Sequence, residues 1–283
     1  MRLKSPVPLK PPVPPKSPVP LRSLVPPALC VLLFALLTWQ VAAGGPLSAL
    51  DVRIGHALRP YAPSPAAELG ADLGNLEVAL PVLAVAASWT AWRGARARAR
   101  RWWLPPLTAA LAMTTVPALV GPLKVWLGRP GPFGPAEGYG WFPSGHAATA
   151  VVAYGAAALL LAPTPRRTMP HPPLEPKGDG TLRVPADAVD GPSAPTARRT
   201  LTRRRTLAPS RTLARRLVAA AAVLVNLGVG AGLVLRGYHW PLDVVGSWAL
   251  FGGLLWVAGP VISRRGPGPR PPRASPVPGS PDR

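Results

Sequence analysis

Three short polar clusters interrupt an otherwise apolar chain, and their residue types are those that bind and cleave phosphate esters. The first is Lys124-Val125-Trp126-Leu127-Gly128-Arg129-Pro130-Gly131-Pro132. The second is Phe142-Pro143-Ser144-Gly145-His146, and the third is Arg236-Gly237-Tyr238-His239-Trp240-Pro241-Leu242-Asp243. Lys124, Arg129 and Arg236 are cations that can neutralise phosphate charge, the arginines through a planar two-pronged fork. Ser144 and Gly145 stand just ahead of an apolar run, where a helix N-terminus offers unpaired N–H groups and partial positive charge to an anion. Asp243 follows His239 by four residues, one turn if the stretch is helical. From there its carboxylate can hold one imidazole nitrogen and leave the other free to attack. His146 is a second imidazole able to move a proton.

The elements that must position these clusters are membrane spans. The chain of 283 residues carries 32 Lys and Arg against 11 Asp and Glu, yet charged residues are only 15% and hydrophobic residues 48%. A soluble domain carries about 25% charged residues, and a disordered basic chain lacks this much apolar content. Uncharged runs at 24–43, 104–123, 147–165, 217–235 and 244–263 are long enough to span, and 78–92 becomes so with its Leu73–Leu76 flank. The expected fold is therefore all-α, a six-span transmembrane bundle over 24–262. Segments 1–23, 163–214 and 263–283 are Pro- and Arg-rich and are expected to be disordered, the middle one as a cytoplasmic insertion. The first run ends on Val41-Ala42-Ala43, which has the form of a cleavage site, but it is longer than a signal-peptide core and follows a long Pro-rich tail. With six spans and the N-terminus inside, 27 of the 32 Lys and Arg fall on inner segments. The positive-inside rule then places both termini in the cytoplasm and all three clusters at the outer face of the cell membrane. Basic charge flanking spans calls for a bilayer and needs no nucleic acid. The single cysteine, Cys30, excludes an intrachain disulfide.

The clusters resemble the type 2 phosphatidic acid phosphatase superfamily, which also includes the vanadium haloperoxidases. The resemblance covers roughly 78–260 and is carried best by Pro143-Ser144-Gly145-His146 and His239-Trp240-Pro241-Leu242-Asp243. It implies a six-span enzyme that dephosphorylates a lipid phosphate without a metal or other cofactor. It further implies His239 as the nucleophile, Asp243 as its orienting partner and His146 as the general acid. Lys124, Ser144 and the Gly145 amide would hold the phosphoryl oxygens. Two positions depart from the family pattern. Gly131 stands where the first motif has Arg, and Gly232-Leu233 stands where the third has Ser-Arg. Arg129 lies two residues early and Arg236 three residues late, and both are taken as candidate replacements for phosphate binding.

The function expected is thus metal-independent removal of phosphate from a membrane lipid phosphate or diphosphate, through a phosphohistidine. The alternative is a catalytically weak lipid-phosphate-binding membrane protein that has lost two cationic contacts. His56 and His171 lie outside the clusters and are read as structural or incidental.

Overall fold

The computed structural model describes residues 23–58, 64–132, 140–163 and 211–263. Apart from their edges, the three Pro-rich segments lie outside the described residues, and so does His171. Eight helices are present among the described residues. They are α1 Val25–Ala42, α2 Pro46–Leu58, α3 Pro65–Asp72, α4 Leu76–Arg96, α5 Leu104–Leu127, α6 Gly145–Leu161, α7 Arg211–Leu235 and α8 Pro241–Ile262.

Helix boundaries follow local chemistry. Proline in the first turn opens α1, α3, α5 and α8, where a missing N–H costs nothing. Gly128, at φ +54°, ends α5 in the left-handed conformation and returns its N–H to the Lys124 carbonyl. Ser144 caps α6, its hydroxyl accepting from Ala147 N–H at 3.3 Å.

Among the described residues, α1, α5, α7 and α8 are long and apolar enough to cross a bilayer. The pair α3 and α4 passes the same test together as a fifth span, bent by 55° at the break between them. Large apolar side chains such as Leu32, Val85, Leu224 and Val257 stand exposed on the outside of the bundle. That surface would be untenable in water and is ordinary against lipid. The chain is a multi-pass membrane protein.

The structure revises the sequence expectation at three places. Helix α6 is apolar but has 17 residues, so at 1.5 Å per residue it is about 25 Å long. Helix α7 begins at Arg211, inside the segment expected to be irregular. Arg211-Thr212-Leu213-Ala214-Arg215-Arg216 is mostly good helix former, and its arginines continue the helix past the apolar limit. The stretch after the first span, given no element from sequence, folds as α2 and α3.

Helix α6 is the central post, in contact with α4, α5, α7 and α8, while α1 runs along α8 and α3 along α7. Ala147, Ala150, Ala153 and Ala156 on α6 are fully buried, and small residues of this kind let helices approach closely in a membrane. The α3–α7 contact is backbone on backbone. A Cβ placed on Gly232 would lie 2.4 Å from Ala71 N, and one on Gly70 would lie 2.6 Å from the Gly228 carbonyl oxygen. These packings bring the N-terminal ends of α4, α6 and α8 and the C-terminal end of α5 to one end of the bundle. The arginines of the α4–α5 turn and the start of α7 lie at the other.

Candidate active site

His239 is the last residue but one before α8 and is 4% exposed. Its Nδ1 lies 3.2 Å from Asp243 Oδ2, and the same oxygen accepts from Trp240 N–H at 3.0 Å. Asp243 is thus held by the α8 N-terminus while it orients the imidazole. The arrangement leaves Nε2 as the free nitrogen. The His239 backbone is fixed in turn by its N–H on the Leu233 carbonyl. Asp243 and α6 are locked together: Ser144 N–H donates to the Asp243 carbonyl at 3.0 Å, and Ser247 Oγ donates to the carbonyls of Ser144 and Asp243.

The spacing of the clusters therefore becomes a single three-dimensional arrangement. The rings of His146 and His239 stand edge to face with centroids 6.3 Å apart, and Trp141 packs edge-on to His239 at 5.3 Å. His146 is exposed at the mouth, whereas His239 is sunk beneath it. Both rings and Lys124 line the head of a cavity of about 830 Å³, within the size range of small-molecule sites. Below that head the lining is largely apolar, between α4 (Leu76, Leu80, Leu83, Ala87) and α5 (Ala110, Met113), with Thr114 and Thr149 as its polar side chains. From Leu76 to Ala87 this wall extends about 16 Å along α4. Gly145 faces the cavity with bare backbone, since a Cβ there would meet only Val120 Cγ1, at 4.0 Å. Of the first-turn N–H groups of α6, Ala147 donates to the Ser144 hydroxyl and Ala148 to the Ser144 carbonyl, so those of Gly145 and His146 are the ones positioned to take an anion.

The remaining candidates are placed otherwise. Ser144 is fully buried, does not line the cavity and uses its hydroxyl to cap α6. Arg129 is 5% exposed and divides its guanidinium between two carboxylates, Nη1 on Asp243 Oδ1 and Nη2 on Asp51 Oδ2. Arg236 points to the opposite side of the α7–α8 turn, where it pairs with Glu68 of α3, whose carboxylate also accepts from Tyr238 Oη at 3.3 Å. Neither arginine lines the cavity.

Two groups had escaped sequence reasoning. Asp51 on α2 is 2% exposed, pairs with Arg129 and accepts from Leu242 N–H at 2.8 Å. A lone carboxylate 78 residues from Arg129 and 191 from Leu242 in the chain carries no local signal. Burial pushes the Asp51 carboxyl above the ordinary carboxylate range, against the pull of Arg129 and the Leu242 N–H. His56, read as incidental, lies on the same helix and packs edge-on to Trp240 at 5.4 Å. Trp141 is the other missed group. Its indole fills the space a side chain at position 131 would need, since a Cβ on Gly131 would lie 2.2 Å from Trp141 Cε2.

Residues 105–266, more than half of the chain, match the family model described as PAP2 superfamily. No curated protein matches the sequence. Among solved structures, the fold is similar to the first transmembrane PAP2 type phosphatidylglycerolphosphate phosphatase from Bacillus subtilis, with a TM-score of 0.56. The two are 21% identical, and the match covers 82% of this chain and 94% of the other.

Proposed function

The chain belongs to the PAP2 superfamily, and from that premise we propose that it is a phosphatase that removes phosphate from a membrane lipid phosphate through a phosphohistidine at His239. One observation carries this reading: two adjacent imidazoles and a lysine sit at the head of a cavity whose remaining wall is largely apolar and runs about 16 Å along α4. An amphiphile with a phosphate head and a hydrocarbon tail satisfies both ends of that space at once.

In this reaction the phosphoryl group lies between the two rings. Lys124 and the first-turn amides of α6 meet its non-bridging oxygens and stabilise the charge that spreads over them in the transition state. His239 Nε2 attacks phosphorus as the lipid alkoxide departs, and His146 gives that alkoxide its proton. Water then loses a proton to His146 and cleaves the phosphorus–nitrogen bond, returning both imidazoles to their starting state. Ser144 acts by holding the α6 N-terminus in place.

The bundle is read as six spans, with α6 as the short one at its centre and both termini cytoplasmic. The Arg93–Arg101 turn and the arginines at the start of α7 support this orientation, because they lie at the end opposite the site. The reaction is then at the outer face. A lipid-phosphate binder with slow turnover is the second reading, favoured by the engagement of both Arg129 and Arg236 with carboxylates.

Phosphate release by the detergent-purified protein, measured on a panel of lipid monophosphates and diphosphates in EDTA, decides between them. The wild type is expected to release phosphate and His239→Ala to release none. Release that vanishes in EDTA and returns with Mg²⁺ would overturn the mechanism. Binding without release would establish the second reading.

A further inference from the structure

We propose that Asp51 is a positioning residue for His239, acting through Arg129 to set the charge beneath the imidazole. The chain of contacts is continuous. Leu242 N–H donates to Asp51 Oδ1, Asp51 Oδ2 pairs with Arg129 Nη2, Arg129 Nη1 pairs with Asp243 Oδ1, and Asp243 Oδ2 holds His239 Nδ1. All four side chains are nearly removed from solvent, so their charges are little screened.

Charge balance gives Asp51 its work. Arg129 alone beside Asp243 would form a neutral pair and withdraw the support that the carboxylate gives an imidazole as it becomes positive. A second carboxylate brings the Asp51–Arg129–Asp243 group to a net charge of minus one. Meanwhile Arg129 still neutralises the oxygen of Asp243 that does not face His239. Asp51 also fixes the site mechanically. Its helix, α2, is the base on which Trp240 rests, for a Cβ on Gly55 would meet the Trp240 ring at 2.5 Å. The other titratable groups around the pair are His146 from α6, whose ring meets that of His239, and Lys124 from α5, which acts on Asp243 and His146. Glu77 of α4 acts on His146.

The consequence for turnover rests on the phosphatase reading, but the consequence for the imidazole does not, and the experiment separates them. The full chain, labelled with ¹⁵N-histidine in detergent, is titrated by NMR, with His239→Gln identifying the His239 signals. Asp51→Asn keeps an acceptor for Leu242 N–H and removes one charge. The pH at which the His239 ring titrates is expected to fall relative to wild type, because one negative charge has been removed from beneath it. The double variant Asp51→Asn/Arg129→Gln restores the net charge of minus one and is expected to return the midpoint toward wild type. In the phosphate-release assay, the acid limb of kcat/KM follows the same two movements, and kcat of Asp51→Asn falls about tenfold while KM moves little. Thermal unfolding confirms assembly, with Asp51→Ser as the substitute should the Asn variant not fold.

An unmoved midpoint in folded Asp51→Asn overturns the proposal. So does a double variant that departs further than the single one, because a purely structural Asp51 predicts that result. A silent wild type with the expected midpoint shifts would reject the phosphatase reading and leave the role of Asp51 standing.

Discussion

Restoring the family arginine at position 131 is expected to damage the site rather than repair it. Gly131→Arg would, on charge alone, add a charge-assisted phosphate contact worth about 1.5–3 kcal/mol, a gain of roughly 10- to 150-fold at 1.36 kcal/mol per decade. The local geometry opposes this gain. The Cβ of any residue at 131 meets Trp141 Cε2 at 2.2 Å and Nε1 at 2.3 Å, where ordinary contact begins at 3.4 Å. The indole must therefore retreat by about 1.2 Å (from 2.2 to 3.4 Å). It cannot do so by a shift of backbone, because Trp141 N–H is bonded to the Arg129 carbonyl at 2.9 Å. The ring turns instead, and the ring is what packs against His239. A displacement of about 1 Å in a catalytic constellation costs about 100-fold in rate. Gly131→Arg is thus expected to lower kcat/KM by roughly 100-fold, and Gly131→Ala, which adds no charge, to lower it at least about tenfold by the same displacement. Phosphate release from a lipid monophosphate in mixed micelles measures both. A faster Gly131→Arg, or a Gly131→Ala within twofold of wild type, would refute the role assigned to Trp141.

Three further outcomes follow from the same geometry. Lys124→Met removes the one cation lining the cavity among the described residues, and kcat/KM should fall by roughly 10- to 150-fold, the value of one charge-assisted contact. Gly232→Ala forces a methyl to within 2.4 Å of Ala71 N; it should destabilise the α3–α7 packing by about 1–3 kcal/mol, read as a drop in the midpoint of thermal unfolding in detergent. Asp51 gives stability a pH dependence of definite sign. Its folded pKa is raised from the ordinary value of 3.8, with burial as the main cause, so between those two values the folded protein holds a proton that the unfolded chain has released. That contribution is complete below 3.8 and is lost as pH rises through the folded value. Unfolding midpoints measured across that window should decline less steeply with pH in Asp51→Asn than in wild type.

The groups proposed to react were legible in the sequence because each motif is local. His239 and Asp243 are four residues apart, Ser144-Gly145-His146 is contiguous with its helix, and uncharged runs mark most of the spans. What stayed hidden is non-local. Asp51 meets Arg129 across 78 residues and the Leu242 N–H across 191. The fate of the two arginines could not be read from spacing, which shows that a cation stands nearby but not which carboxylate reaches it first. Helices α2 and α3 were missed for a related reason. They are short, of 13 and 8 residues, and mixed in polarity, and their stability comes from lying on α7 and α8 rather than from a pattern of their own.

Each of the two departures from the family pattern has a steric cause. Position 232 is closed by the backbone of α3, and position 233 points into a buried cluster with Ala147, Ala150 and Val229. Position 131 is closed by Trp141. An arginine at 233 would bury an unpaired charge, which costs several kcal/mol, so a packing of α3 this close on α7 excludes the family residue there. The arginines that do remain nearby fasten those same covering helices to the bundle. Arg129 ties α2 to the start of α8, and Arg236 ties α3 to the α7–α8 turn. Their energetic weights differ. The Arg236–Glu68 pair is partly exposed and screened, whereas the Arg129 group is buried, where breaking one partner leaves a charge without compensation. Both arginines are engaged in holding α2 and α3 over the His239 end of the bundle, and in the proposed reaction the anion is left to Lys124 and the α6 N-terminus. A site built this way depends on the placement of a few groups more than on the number of cations. For that reason substitutions at glycines that touch no substrate, Gly131 and Gly232, are as informative about the chemistry as substitutions of the histidines.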